Sequence, residues 1–295
     1  MLESDRFLAW YFVIVWGSGF LATKVGLQHA APFTFLTLRF AVGIACMLVL
    51  VAIVKPRWPS SATETAHVVV AGLLMHVGNL GGSHYAQYLG MSAGIVALIL
   101  ATQPLLTAVL LSRTGERLGT LQWVGIALGL VGVALVVWHK IDVDAMSRGS
   151  LTAVSVSLVA ITIGTLYQRR YCASVDLRSA GLIQFVASAL VLAPLAWQVE
   201  GFAVDWSPRL FAAIAFLVVF ASILAVNALH TLMRHGAATR VTSLLYLTPI
   251  VAVALEWRLF GVVPSALSVA GIAITCAGVA LVTRLRRLPQ PDLET

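Results

Sequence analysis

The sequence has too few charged residues for a protein that is surrounded by water. Asp, Glu, Lys and Arg together make up 11% of the 295 residues, whereas 60% of the residues are hydrophobic and the mean hydropathy is +0.94. A soluble domain carries about 25% charged residues because its surface must face water. The scarcity of charge therefore excludes a mainly water-exposed surface and indicates a lipid environment.

The apolar stretches also lack the alternation of apolar and polar residues that is typical of barrel strands. Runs such as 41–54 and 210–226 are apolar on every side. A backbone in lipid must satisfy its own hydrogen bonds, which leaves only helices or closed barrels as spanning structures. The sequence therefore predicts an all-α polytopic membrane protein.

The residues and motifs that mark enzymes are scarce as well. Cys46, Cys172 and Cys276 have neither metal-ligand spacing nor a disulfide framework, and no G-x-S-x-G, zinc or phosphate-loop motif is present. His230 and His235 have the H-x-x-x-x-H spacing of membrane di-iron enzymes, but such sites need further histidine clusters or carboxylates. We expect no enzyme activity, no cofactor and no metal. An intramembrane metalloenzyme and a non-transporting scaffold are the alternatives from other classes.

Apolar runs bounded by charge, proline or turn residues predict ten transmembrane helices. A span needs about 20 apolar residues to cross roughly 30 Å of hydrocarbon. The connections are too short to hold a separate domain. The ten predicted spans are 7–28, 33–54, 65–88, 92–112, 120–138, 150–170, 178–197, 209–233, 237–258 and 263–283.

The basic residues are distributed unequally between the two sides of these spans. With a cytoplasmic N-terminus, thirteen Lys and Arg residues fall on the inside and four, Lys140, Arg148, Arg209 and Arg258, on the outside. Basic residues favour the cytoplasmic side of a membrane. The imbalance predicts that both termini are cytoplasmic and that the protein lies in the inner (plasma) membrane. It also accounts for the net charge of +7 without a nucleic-acid partner.

An internal repeat relates the two halves of the chain. Eight of fourteen residues are identical between VGIALGLVGVALVV (Val124–Val137) and AGIAITCAGVALVT (Ala270–Thr283), at a constant offset of 146. Pro104 and Pro249 each lie within the preceding span, the fourth and the ninth. Repeats of this kind indicate two copies of one structural unit.

The repeat divides the chain into two five-helix units, residues 7–138 and 150–283. Because each unit has an odd number of spans, the second must enter the membrane from the opposite side. Inverted repeats recur in secondary transporters, where the substrate binds near the membrane midplane between them. The sequence therefore predicts a transporter with its path between the two units.

Several residues of the first unit, in their order and spacing, resemble the EamA-type drug/metabolite transporters. These are WGSGF (Trp16–Phe20), Lys24, Pro32, Arg39 and the stretch Pro104…Gly115-Glu116…Gln122-x-x-Gly125. The resemblance covers essentially the whole chain. One departure is Val262, which stands where the family usually repeats the Glu of its Gly-Glu pair, so a symmetric role for Glu116 is not expected.

The resemblance implies a ten-helix exporter of small metabolites, often amino acids, that works by alternating access through a central cavity. Within the superfamily the chain looks most like the exporters of aromatic amino acids. A multidrug or toxic-compound exporter is the alternative. The expected partners are a small-molecule substrate and the lipid bilayer, and we expect the protein to function as a monomer.

The third span carries a stripe of polar residues. Polar groups in a bilayer are costly, so they usually face a cavity or a partner helix. The polar residues of this stripe share one face of an α-helix. This pattern predicts that they line the wall of a water-filled path. The alternative is hydrogen bonding between packed helices. The stripe consists of His76, Asn79, Ser83, His84 and Gln87.

The eighth span, the repeat partner of the third, carries a shorter stripe. Asn227, His230 and Thr231 lie on one face of the predicted helix, and Arg234 follows at its cytoplasmic end. Because inversion places the two stripes toward opposite membrane faces, they are candidates for two halves of one path.

Two Pro-containing pairs, Gln103-Pro104 and Thr248-Pro249, lie near the middle of the fourth and ninth spans. Proline removes a backbone donor and frees a carbonyl of the preceding turn. Such a break offers a polar contact for the substrate and a hinge for alternating access. A packing kink is the alternative for either helix alone.

Aromatic and basic residues within the spans complete the candidate site. Tyr246, Trp16 and Tyr85 are candidates for stacking on an aromatic substrate. Lys24 and Arg39 lie one to two turns from the outer ends of the first two spans. Each either extends to the interface, as long basic side chains do, or binds a substrate carboxylate.

Acidic residues are missing from the middle of every predicted span; Glu116 and Glu256 lie at span ends. Exporters of cationic drugs commonly depend on a membrane carboxylate, so a zwitterionic or neutral substrate fits this chain better. If transport is coupled to protons, then His76, His84 or His230 must titrate.

Overall fold

The computed structural model describes residues 3–112, 119–141, 147–225 and 247–285. These residues are helical almost throughout. Among them no strand occurs, and the one β-type pairing joins Ala30 to Val204. The all-helical class predicted from the sequence is therefore confirmed.

The described helices follow the predicted order of spans. The first half contains α1 (Glu3–Gly26), α2 (Pro32–Val54), α3 (Ala62–Gly72), the π-helix π1 (Leu73–Leu80), α4 (Gly81–Tyr88), α5 (Ala93–Leu100), α6 (Gln103–Ser112) and α7 (Thr120–Ile141). The second half contains α8 (Arg148–Tyr171), α9 (Leu177–Glu200), α10 (Pro208–Ala215), the π-helix π2 (Phe216–Leu224), α11 (Thr248–Phe260) and α12 (Ala266–Leu285).

Four of the described helical segments are long and apolar enough to cross a membrane. They are Pro32–Val54, Ala93–Ser112, Arg148–Tyr171 and Leu177–Glu200. Shorter apolar helices cover Thr120–Val136, Pro208–Ser222 and Ala266–Val282. The chain is thus a multi-pass membrane protein, while the count of ten spans and the orientation of the termini stay predictions.

The third predicted span is not a continuous α-helix, which corrects the expectation for 65–88. Its middle, Leu73–Leu80, is π-helical. The eighth span has the same interruption, because π2 follows α10 directly. A π-helix has i→i+5 hydrogen bonds and more residues per turn, so it changes which side chains share a face. Periodicity counted at 3.6 residues per turn does not reveal such a segment.

The fourth span is broken where the sequence places proline. Helix α5 ends at Leu100 and α6 begins at Gln103, with Pro104 as its second residue. The Thr102 hydroxyl donates to the Ile99 carbonyl at 2.6 Å. Pro249 is likewise the second residue of α11, a position where its missing N–H costs no helical hydrogen bond. The helix is thus interrupted just before Pro104, while the roles of Pro104 and Pro249 as hinges stay predictions.

Glycines allow α7 and α12 to pack closely. A Cβ atom on Gly125 would lie 2.8 Å from the Gly278 carbonyl oxygen, and one on Gly132 would lie 2.5 Å from that of Gly271. The residue that is earlier in α7 meets the later one in α12, so the two helices are antiparallel. The repeat offset of 146 relates Gly125 to Gly271 and Gly132 to Gly278. Applying the repeat to the Gly125–Gly278 contact therefore gives the Gly132–Gly271 contact, and the reverse.

Other helices also pack against helices of the opposite half. Helices α2 and α9, the second and seventh spans, are antiparallel, because Gly43 meets Phe185 while Met47 meets Gly181. Helix α1 packs on α10 and π2, and α8 packs correspondingly on α3, π1 and α4. The α1 contact buries a core that includes Phe12, Phe35 and Leu210, among other apolar side chains.

The loops of the two halves meet in pairs at the ends of the helix bundle. At one end, loops 27–31 and 201–207 are joined by a 2.8 Å hydrogen bond between the His29 Nδ1 and the Asp205 carboxylate; we call this end the His29 face. At the other end, loops 55–61 and 172–176 are joined through Ser179, whose hydroxyl donates to the Arg57 carbonyl at 2.7 Å; we call it the Arg57 face.

Candidate substrate site

The centre of the candidate site is Arg39, which lies on α2 between the two halves. It is the eighth residue of α2, about 10 Å along the helix from the His29 face, and its side chain is buried. The Arg39 Nη2 donates to the Ser222 hydroxyl at 3.2 Å. Ser222 belongs to π2, about 20 Å along the eighth span from Pro208. Because the hydrocarbon layer is about 30 Å thick, this pair lies well inside it and Arg39 does not extend to the interface.

His84 of α4 lies beside Arg39 and is equally buried. Its Nε2 is 3.4 Å from the Thr23 hydroxyl of α1, and its Nδ1 is 3.4 Å from the Ser83 hydroxyl. The imidazole also contacts the ring of Phe35, at a centroid distance of 5.9 Å. Phe35 lies one turn before Arg39 on α2, so His84 packs beside the stretch of α2 that includes Arg39. The structure thus brings two of the predicted site residues together.

His76 lies on π1, next to the residue that follows Arg39 on α2. Its imidazole meets this residue, Phe40, and also Phe185 edge-on, at centroid distances of 5.4 and 5.2 Å. Among the described residues, the buried Nε2 of His76 makes no hydrogen bond of ordinary geometry, and the Gln184 amide of α9 is the nearby polar group. A polar atom inside a bilayer without a partner is costly, so this nitrogen is a natural contact for a polar ligand or for water.

Asn79 and Gln103 instead form hydrogen bonds to α8. The Ser157 hydroxyl is 2.8 Å from the Asn79 Oδ1 and 2.7 Å from its carbonyl oxygen. The Gln103 Nε2 donates to the Thr165 hydroxyl at 2.9 Å. In this conformation Asn79 forms the interhelical hydrogen bond that was the alternative to a cavity-lining role, and the Gln103 amide likewise joins two helices.

The polar stripe of the third span is therefore divided among several neighbours. Gln87 is buried, and neither atom of its amide has a hydrogen-bond partner among the described residues. The Ser83 hydroxyl donates to the carbonyl of Leu80, the last residue of π1, at 3.1 Å. Each residue of π1 turns the chain by a smaller angle than a residue of an α-helix does, so the stripe does not keep one face. Asn79 contacts α8, whereas His76 and His84 contact aromatic rings of α2.

Lys24 binds an internal carboxylate in this structure. Its ammonium is 2.6 Å from the Glu256 carboxylate of α11 and 4.5 Å above the Phe260 ring. Glu256 also accepts hydrogen bonds from the backbone N–H groups of Ala93 and Gly94, at 3.2 and 3.0 Å. A carboxylate at the start of a helix is stabilised by these free donors. The sequence analysis placed Glu256 at a span end but did not predict this pair.

The predicted aromatic residues contact other rings of the protein. Trp16 is 39% exposed and stacks on Phe12 of α1 at 5.2 Å. Tyr85 stacks on Phe33 of α2 at 6.0 Å. Thr248 is buried at the start of α11. Asn227, His230 and Tyr246 lie outside the described residues, so their predicted roles stay predictions.

Sequence reasoning missed five polar residues that complete these contacts. Each is the partner, on another helix, of a residue that was predicted. Only Glu256 had a signal in the sequence, since an acidic residue beside an apolar run usually has a function or a partner. In the described part of the chain, no three His, Cys, Asp or Glu residues are grouped so that they could hold a metal ion. The five residues are Thr23, Ser157, Thr165, Ser222 and Glu256.

Comparison with known proteins identifies relatives over almost the entire length. The chain is 28% identical to an uncharacterized inner membrane transporter, YedA of Escherichia coli (strain K12), over 92% of this chain and 87% of that protein. It is 26% identical to a probable amino-acid metabolite efflux pump of Salmonella typhimurium (strain LT2), over 94% of both. A solved crystal structure superimposes with a TM-score of 0.67 at 21% identity and covers 98% of this chain and 100% of that one; at that identity it shows the fold alone.

The family model gives the same result for both halves. The model of the EamA-like transporter family matches residues 6–138 and again residues 148–284. The relatives are named as transporters and efflux pumps, and one of them as an inner membrane protein. The protein is thus a multi-pass inner membrane transporter, and the chain belongs to the EamA-like transporter family.

Proposed function

We propose that this protein exports small metabolites, namely amino acids that include aromatic ones, by alternating access along a path between its two halves. The proposal rests on one observation. Inside the bundle, Arg39 of the first half is hydrogen-bonded to Ser222 of the second half in a buried polar cluster. Polar groups at such depth usually mark a substrate path. In transporters with inverted repeats, this path lies between the repeats near the midplane.

The proposal includes two inverted five-helix units, 7–138 and 150–283, and ten spans. The antiparallel contacts of Gly125 with Gly278 and of Gly132 with Gly271 support an in-plane two-fold relation. We assign the Arg57 face to the cytoplasm, because basic residues concentrate at that end and cytoplasmic loops carry such an excess. The described basic residues at that face are Lys55, Arg57, Arg169, Arg170 and Arg178.

Alternating access requires contacts at one face to separate while those at the other form. In the described conformation, the His29 face is joined by the Lys24–Glu256 and His29–Asp205 pairs and by Glu200. The Glu200 carboxylate accepts from the backbone N–H of Thr34 at 2.7 Å. The break before Pro104 and the segments π1 and π2 lack regular α-helical hydrogen bonds. We therefore propose these positions, together with Pro249, as the hinges.

Export of cationic drugs is the second candidate, and the described carboxylates favour amino acids over it. Glu256 is buried but is neutralised by Lys24 at 2.6 Å. A cation within the bundle would thus meet Arg39 and no free carboxylate among the residues described. A zwitterion or an anion avoids this repulsion.

The direct test is transport by purified protein in lipid vesicles. Vesicles are loaded with radiolabelled amino acids or with a cationic dye, and efflux is followed with and without a pH gradient. We expect at least one amino acid to leave several-fold faster than from protein-free vesicles. If no amino acid does so, the proposal fails; if only the dye moves, the drug-export alternative replaces it.

His76→Ala and Gln103→Ala are expected to slow amino-acid efflux several-fold while the protein remains folded. His76 offers an unpartnered nitrogen beside Arg39, and the Gln103 amide lies at the break between α5 and α6. Initial efflux rates measure the effect, and gel filtration confirms folding. Gln198→Ala, at an exposed position of α9, is the matched control. Wild-type rates in both variants would show that His76 and Gln103 serve packing only.

A further inference from the structure

Arg39 is a buried cation without an acidic partner in the structure as described. The residue is 9% exposed, and the one hydrogen bond that it donates among the described residues goes to the neutral hydroxyl of Ser222. A guanidinium has several N–H donors in a planar fork, so most of them have no partner in the described part of the chain. A buried charge that lacks a counter-charge is strongly unfavourable. The free-energy cost of burying the Arg39 charge stays low only if an anion binds to the guanidinium during the transport cycle.

The acidic residues of the chain either bind groups other than Arg39 or lie far from Arg39 in the sequence. Each carboxylate whose side chain is described has partners of its own, and residues 226–246, which follow Ser222 in the sequence and lie outside the described residues, contain no Asp or Glu. The remaining acidic residues lie near the chain ends or in loops between the predicted spans. The engaged carboxylates are those of Glu64, Asp176, Glu200, Asp205 and Glu256.

The groups around Arg39 suit an uncharged or anionic ligand rather than a cation. The hydroxyls of Ser222, on Arg39, and of Thr23, on His84, are uncharged hydrogen-bonding groups, and the Nε2 of His76 makes no hydrogen bond of ordinary geometry among the described residues. The rings of Phe35 and Phe40 cover the apolar sides of the two imidazoles. A carboxylate matches the guanidinium fork with two parallel hydrogen bonds, which Lys does not offer.

We propose that Arg39 binds the carboxylate of the transported molecule, so that a carboxylate is required for transport and an amino group is not. The inference rests on the proposed function and deepens it by defining the substrate class as small monocarboxylates, of which amino acids are the zwitterionic members. No described carboxylate is available to hold the ammonium of an amino acid. A deaminated acid should therefore be accepted, whereas an amine without a carboxylate would meet only the like charge of Arg39.

The test uses two sets of three molecules that differ in one group each. The first set is phenylalanine, 3-phenylpropionate and phenethylamine; the second is leucine, 4-methylpentanoate and 3-methylbutylamine. Uptake into vesicles is measured for wild-type protein, Arg39→Gln and Arg39→Lys, with Arg209→Gln at an exposed position of α10 as the matched control.

For the wild type we expect the amino acid and the deaminated acid of at least one set to move at least tenfold faster than the amine. Arg39→Gln should remove that difference, Arg39→Lys should retain part of it because the charge remains, and Arg209→Gln should behave as wild type. Amine transport as fast as that of the amino acid, or an unchanged preference in Arg39→Gln, would overturn the inference. If Arg39→Gln does not fold, the wild-type and Arg39→Lys preferences decide.

A binding measurement separates this inference from the proposed function. Thermal unfolding of the detergent-solubilised protein is followed with and without 10 mM of each acid, a concentration on the order of weak carboxylate affinities. Stabilisation of the wild type and Arg39→Lys by the acids, and not by the amines, supports the carboxylate site even if no amino acid is transported. Transport of amino acids without any dependence on Arg39 rejects the carboxylate site and leaves the proposed function standing.

Discussion

Replacing Glu256 by alanine is expected to lower the free energy of unfolding by about 3 kcal/mol. The substitution removes the counter-charge of Lys24, at 2.6 Å, and the acceptor of the Ala93 and Gly94 backbone N–H groups. Those two donors begin α5, so they lose their partner in a buried place. The Lys24 side chain is 27% exposed and regains some hydration, which keeps the loss at the lower end for a broken buried pair. Unfolding by SDS in mixed micelles measures the difference.

Two further variants separate the components of this contact. Glu256→Gln keeps an acceptor for the backbone N–H groups but not the charge, so its effect should be about half that of Glu256→Ala. Arg258→Gln, two residues away and exposed, should stay within about 0.5 kcal/mol of wild type. A wild-type stability of Glu256→Ala would mean that the contact between α1, α5 and α11 contributes nothing measurable.

Replacing Gly132 by alanine is expected to destabilise the protein by about 2 kcal/mol, a typical cost of overpacking. The added methyl group would lie 2.5 Å from the Gly271 carbonyl oxygen and 2.6 Å from the Thr275 nitrogen. Both are backbone atoms, so no side-chain rotation relieves the overlap and the helices α7 and α12 must separate. In lipid, close packing is a main source of helix association. The same SDS titration measures the loss.

Gly19→Ala is the control for this substitution. A Cβ atom at Gly19 would meet only the Leu217 side chain, at an ordinary distance of 3.7 Å. Alanine in a helix interior is favoured over glycine by roughly 0.5–1 kcal/mol, so this variant should be neutral or more stable. Equal losses in Gly132→Ala and Gly19→Ala would show that any helical glycine is needed, and that the close approach is not the cause.

Gly271→Ala tests whether Gly132 and Gly271 belong to one contact between the two halves. Its added methyl group would lie 2.6 Å from the Gly132 carbonyl oxygen. Because both substitutions separate the helices at the same point, the double variant should be less destabilised than the sum of the two single variants. Additive losses would mean that the two glycines act in separate contacts.

Several features of the fold follow from short-range patterns in the sequence. The apolar runs predict the helices, because a backbone in lipid has few other ways to satisfy its hydrogen bonds. The glycines at 125, 132, 271 and 278 predict close helix contact, since only small residues let backbones approach. Pro104 predicts a break, since it removes a donor from the helix. These features depend on each residue and its immediate neighbours, so they can be inferred without the tertiary structure.

The candidate site was less predictable because its contacts join distant parts of the chain. The stripe from His76 to Gln87 was expected on one face, but the π-helix between Leu73 and Leu80 redistributes it. Lys24 and Arg39 looked alike in the sequence. The structure gives Lys24 a carboxylate 232 residues away, whereas the hydrogen-bond partner of Arg39 in the described part of the chain is a hydroxyl 183 residues away.

The sequence alone determined the membrane environment, the helical class, the internal repeat and the resemblance to EamA-type transporters. Each of these depends on composition or on local order, which the chain carries in itself. The tertiary structure decided which buried charges are neutralised. Electrostatic energy depends on distances between side chains that no sequence pattern specifies, and here it distinguishes Lys24, paired with Glu256, from Arg39, which has no acidic partner among the described residues.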